Sequence, residues 1–182
     1  FYTSALATAQ FLNRQAPRSS AFEMGEHGIQ NALYDVGITY NDVNPDYVVV
    51  GEDRGYSLEM ITNAIRLVNN GAKLIGTNYD LTGPTEDGIA PACRALLAPI
   101  ELTTGKQAYY VGKPNPLMMR TGLKLLGVHS EEAAIIGDRM DTDIIAGIES
   151  GLDTVLVLSG VTSREDCRRF PHRPRLILDG VG

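Results

Sequence analysis

The sequence predicts an α/β protein built on parallel strands, and three observations carry that prediction. Apolar runs such as Tyr47-Val48-Val49-Val50 and Thr154-Val155-Leu156-Val157-Leu158 show no polar alternation, as expected of strands covered on both faces. Stretches with helical periodicity separate those runs. Glycine, proline and asparagine punctuate nearly every junction, giving the strand-then-helix rhythm of a parallel sheet.

The elements follow in order. A helix is predicted over about Ser4 to Gln15, and Ala16-Pro17-Arg18-Ser19-Ser20 reads as a linker. Next come a short strand near Ala21–Met24, a helix from about Glu26 to Val36, the strand Tyr47–Gly51 and a helix from about Leu58 to Asn69 that Gly71 terminates. Lys73–Gly76 is a further strand, Thr77–Pro91 a Gly/Pro/Thr loop, and Ala92–Glu101 a helix. The alternation resumes with a strand from Tyr109 into Gly112, a helix over Pro116–Leu126, a strand over Ala133–Gly137, a helix over Thr142–Ser150, and strands at Thr154–Leu158 and Leu176–Leu178. A Rossmann-like half-sheet fits this last block. Glu131-Glu132 reads as solvated charge outside any helix, and Arg164 to Arg169 as a mixed-charge helix face.

Composition narrows the function. With 182 residues, 43% of them hydrophobic and 21% charged, the chain can bury a core or two small ones. A net charge of -6 argues against a nucleic-acid or membrane-surface partner, since both select basic faces. Cys93 and Cys167 lack a second Cys-x-x-Cys element, so neither zinc nor a disulfide framework is indicated, and a reducing cytoplasm is the expected compartment. His27, His129 and His172 have no ligand spacing, and each reads as a surface or capping residue. Gly25-x-x-Gly28 lacks the rest of a dinucleotide fingerprint and reads as a strand-to-helix turn.

Two segments carry chemistry: Val111-Gly112-Lys113-Pro114 and Ile136-Gly137-Asp138-Arg139-Met140-Asp141-Thr142-Asp143. A lysine is a compact cation for a phosphoryl oxygen, and an aspartate at the C-terminal end of a parallel strand is a hard oxygen donor suited to Mg²⁺. Asp141 reads as a helix cap.

Those segments, with Thr142-Asp143-Ile144-x-Ala146-Gly147 and Leu158-Ser159-Gly160-Val161, look like the haloacid dehalogenase (HAD) superfamily in its NagD-like, p-nitrophenyl-phosphatase-type branch. Thr77-Asn78-x-Asp80-x-Thr82-x-Pro84-Thr85-x-x-Gly88 and Asp42-Val43-Asn44-Pro45-Asp46 resemble that branch's cap domain. The resemblance implies a partial Rossmann-like HAD core with an inserted α/β cap of the C2 type: 1–16 a core remnant, 17–107 the cap, 108–182 the C-terminal half of the core. It also implies a Mg²⁺-dependent phosphomonoesterase of small phosphorylated metabolites that works through an aspartyl-phosphate. Lys113 would hold the phosphoryl group, Asp143 would orient Lys113 or a metal-bound water, Asp138 would ligate the metal, and Arg139, Asn78 and Asp80 would contact substrate. Arg94 stands where the branch commonly has a small residue. A homo-oligomer through the cap is the implied partner.

The family's Asp-x-Asp nucleophile and the Ser/Thr motif after the next strand have no counterpart here. Asp141-Thr142-Asp143 is the sole Asp-x-Asp, and it lies beyond the strand end that Asp138 marks. The chain therefore reads as cap plus C-terminal half of the core, expected to be inactive alone and to expose one edge of the strand at 133–137. The alternative is a non-catalytic module for cap-mediated dimerisation or for phosphate and metal binding.

Overall fold

The computed structural model describes residues Phe1–Gly182 throughout, and the chain divides into two compact units, Phe1–Gly112 and Lys113–Gly182.

The first unit opens with α1 (Ser4–Gln15), whose Thr3 side chain accepts a hydrogen bond from the Leu6 amide and caps its free N-terminus. It continues through β1 (Ser20–Met24), α2 (His27–Asp35), β2 (Thr39–Tyr40), β3 (Tyr47–Val50), α3 (Leu58–Asn69), β4 (Lys73–Gly76), the hairpin strands β5 (Thr82–Thr85) and β6 (Gly88–Pro91), α4 (Cys93–Thr104) and β7 (Tyr109–Tyr110). Five of these strands form one parallel sheet in the order β2-β1-β3-β4-β7. Central β3 is buried along its whole length, as its unbroken apolar run requires. Phe22, Met24, Val48, Val50, Leu67, Val68, Leu97 and Ile100 form the core between sheet and helices.

Asp46 ties the entrance of this sheet together. Its carboxylate accepts from the backbone amide and hydroxyl of Ser20 at 2.8 and 3.0 Å, which holds the carboxyl below its ordinary range. Cys93 is fully buried, and burial pushes its thiol up.

In the second unit, α5 (Pro116–Leu126) starts on Asn115, whose side chain accepts from the Leu117 amide, and ends on left-handed Gly127. Then come β8 (Ala134–Gly137), a π-helical turn (Met140–Ile144), α6 (Ile145–Ser150), β9 (Asp153–Val157) and β10 (Leu176–Leu178). These strands make a parallel sheet ordered β10-β9-β8 over a small core of Met140, Ile144, Leu156 and Cys167.

Several expectations change. Tyr109–Tyr110 hydrogen-bonds to β4 and completes the first sheet instead of opening the C-terminal one. The expected 77–91 loop contains the antiparallel β5–β6 hairpin. Glu131 and Glu132 lie in a 3₁₀ turn over Ser130–Glu132, because the His129 amide donates to the Glu132 carboxylate and closes it. His172 is half-buried, with Nε2 3.0 Å from the Met140 carbonyl.

β8 is an open edge, with Ile136 60% exposed on it, and α5 carries exposed Leu125 and Leu126. A parallel apolar edge offers unpaired amides and carbonyls to any other strand. Self-association that rises with concentration is therefore expected, and Ile136→Lys should shift sedimentation toward monomer; equal association by both proteins would show that this edge is inert.

Candidate functional site

At the head of β8 the chain must turn sharply to present two carboxylates within a few residues. The π-helical turn achieves this: the Arg139 carbonyl accepts from both the Asp143 amide at 3.1 Å and the Ile144 amide at 3.0 Å. Asp143 thereby folds back over the strand end and is buried. One carboxylate oxygen meets Lys113 Nζ at 2.5 Å, and the other accepts from the Arg139 backbone amide at 3.2 Å. Gly137 makes this possible, since a Cβ there would collide with the Asp143 side chain.

Asp138 is fixed differently. Its Oδ2 accepts from the Val161 amide at 2.8 Å, and its carbonyl accepts from the Thr162 amide at 3.0 Å. The approach requires Gly160, where any Cβ would run into the Asp138 carboxyl group. Thr162 also accepts from the Met140 amide through its hydroxyl, so the loop after β9 and the turn after β8 form one hydrogen-bonded frame. Sequence reasoning quoted Gly160-Val161 only as a motif, and this carboxylate-gripping role was not legible in it.

Asp141 caps no helix. Its carboxylate is gripped by Arg139, with Nε–Oδ1 at 3.2 Å and the second nitrogen–oxygen pair at 3.3 Å, a two-pronged geometry that fits a planar guanidinium better than a backbone amide.

The second unit thus gathers Lys113, Asp138, Arg139 and Asp143 around one strand end. Asn78 and Asp80 belong to the first unit, where the Asn78 amide nitrogen donates to Asp80 at 2.7 Å and to Glu52 at 3.2 Å, while Thr77 donates to the Asn78 carbonyl at 2.8 Å. Glu52 was not singled out from sequence, although it stands just past the buried strand β3. Arg94 lies over the Tyr79 ring, 4.0 Å from its centroid.

No group of three or more His, Cys, Asp or Glu residues is arranged to hold a metal. Asp138 has one oxygen engaged by Val161 and supplies a single hard donor, which fits Mg²⁺ bound through one or two carboxylates, water and substrate phosphate. No helix is long and apolar enough to cross a membrane.

Comparison with known proteins agrees with this frame. Residues 110–182 match the HAD-hydrolase-like family. The chain is 48% identical to the dihydroxyacetone phosphatase of Corynebacterium glutamicum, over 99% of this chain and 66% of that protein. It is also 48% identical to the ribonucleotide monophosphatase NagD of Escherichia coli K12, over 100% of this chain and 71% of the relative. Among solved structures, NagD from E. coli K-12 superposes with a TM-score of 0.88 at 47% identity, covering 99% of this chain and 70% of that one. The p-nitrophenyl phosphatase from Archaeoglobus fulgidus gives 0.89 at 34% identity, covering 97% and 70%. The chain therefore spans roughly two thirds to seven tenths of its relatives' length, and it belongs to the HAD-like hydrolases of the NagD and p-nitrophenyl phosphatase type.

Proposed function

We propose that this chain forms the greater part of a phosphatase of small phosphorylated metabolites, such as nucleotides, sugar phosphates or p-nitrophenyl phosphate. The observation that carries this reading is the Lys113–Asp143 pair at 2.5 Å beside Asp138. A lysine held in place by a buried carboxylate is a pre-positioned cation for a phosphoryl group, and positioning with charge compensation is most of what phosphoryl transfer needs. Asp138 would supply a carboxylate to Mg²⁺, which when bound would neutralise phosphate charge. Asn78 and Asp80 would contact the leaving group. For Arg139 to bind substrate, its grip on Asp141 has to be exchanged for the phosphate. The two buried thiols accord with a cytoplasmic protein.

Neither member of the 141–143 pair suits a nucleophile, since Asp141 is held by Arg139 and both Asp143 oxygens are engaged. We infer that the attacking carboxylate comes from outside this chain. With p-nitrophenyl phosphate and Mg²⁺, the chain alone should be inert, and adding in trans the N-terminal segment of a NagD-type relative should start turnover. Turnover by the chain alone would refute the external nucleophile; a well-folded but inert mixture would refute the phosphatase reading.

A dimer formed through the first unit has its own support. Tyr34, Tyr40 and Val43 are 81%, 59% and 72% exposed near the short edge strand β2. In the sedimentation experiment, association that survives Ile136→Lys and is lost with Tyr40→Asp favours this reading; the reverse pattern removes it.

A further inference from the structure

The amino ends of the first sheet's strands carry a cavity on the face turned away from α3 and α4. Val48 and Leu74 point into the core that those two helices share with the sheet, and Tyr110 packs against it. Strand alternation therefore sends Tyr47, Lys73, Ile75 and Tyr109 to the other face, where Tyr47 pairs with Lys73 and Ile75 with Tyr109 across neighbouring strands. With Phe11 of α1 and Lys106 of the loop before β7, these four line a cavity of about 530 Å³, a size that suits a small organic molecule.

Its lining is aromatic and cationic. Phe11 and Tyr109 stack with ring centroids 5.0 Å apart, and Tyr109 nevertheless stays 46% exposed, which leaves ring surface for a further flat group. Lys106 Nζ donates to the Val68 carbonyl at 2.5 Å, so its ammonium is held at the end of α3 with two protons left to give. Lys73 Nζ stands 5.8 Å from the centroid of the buried Tyr47 ring. The acid on which its charge acts is Asp46, whose carboxylate is already taken by Ser20. Neither ammonium forms an ion pair, in a chain of net charge -6. Two cations without a carboxylate partner, set among aromatic rings, select an anionic group carried on a flat ring.

We propose that this cavity binds a planar aromatic carboxylate, with Lys73 and Lys106 holding the acidic group and Tyr109 stacking on the ring. The site stands apart from the phosphatase reading, since it uses neither Lys113 nor Asp138.

The intact chain is titrated with naphthalene-2-carboxylate and followed by amide resonances. Ile75, Lys106 and Tyr109 should shift saturably while Asp138 and Asp143 stay in place. 2-Naphthylmethanol keeps the ring without the charge, octanoate keeps the charge without the ring, and each should bind several-fold more weakly. Lys73 is exposed, so Lys73→Gln leaves the fold intact and should alone weaken binding about threefold. Lys106→Gln keeps a donor for the Val68 carbonyl, and the double variant should lose about tenfold in affinity with an unchanged melting temperature. Lys113→Ala should bind as the wild type does. Absence of saturable shifts, shifts centred on Asp138 and Asp143, equal affinity for either control compound, wild-type affinity in Lys73→Gln and the double variant, or loss with Lys113→Ala overturns the proposal.

Discussion

Asp143→Ala is expected to cost the second unit about 2–3 kcal/mol, because it strips partners from a cation and an amide at once. Removing one member of a fully buried ion pair costs more. Here the Lys113 side chain is 36% exposed against 5% for Asp143, so water recovers part of the lost interaction. Asp143→Asn retains an acceptor for the Arg139 amide and should cost about 1 kcal/mol, the worth of the charge on one hydrogen bond. Urea unfolding followed on β9 resonances separates the two. The core of this unit is small, so a loss of this size is a large share of its stability. A loss under about 0.5 kcal/mol, the range of ordinary surface changes, would mean that the pair holds nothing in place.

Lys113→Ala should lower turnover in the complemented system by about 10²- to 10³-fold, as expected for removing a charge aimed at developing negative charge. Lys113→Arg should rescue poorly, because a planar fork does not fill the space of a compact ammonium. The decisive reading is kcat at saturating substrate. A rise in KM with kcat unchanged would make Lys113 a binding group that does not distinguish ground from transition state.

Much of the fold was legible because local signals agreed. α3 and α5 run over the ranges the sequence predicts, with Ser57 and Asn115 capping them in the structure. What escaped was decided elsewhere in the chain. Tyr109–Tyr110 is apolar enough for either sheet, and only its non-local pairing with Ile75 and Gly76 assigns it. The β5–β6 hairpin carries Gly83, Pro84, Gly88 and Pro91, which read locally as loop, yet both strands lie at an edge where proline is tolerated. Asp141 was read as a cap because aspartate before a helix usually is one; a turn with an extra residue delivered it to Arg139 instead. Lys113 and Asp143 were legible as a pair through family resemblance, since nothing local links residues so far apart.

The order of strands in the first sheet also governs the order of events at the ribosome. β4 keeps one side unpaired until residues 109–110 arrive to cover it, so that sheet cannot complete before the whole of Phe1–Gly112 has emerged. The strands of the second sheet all lie later in the chain. Synthesis from the N-terminus therefore delivers one finished body ahead of the other, and the hairpin and α4 between β4 and β7 must settle while an apolar edge waits. A pause in translation just before residue 109 would expose that edge longest, making this the point in biosynthesis at which a nascent chain most needs a chaperone.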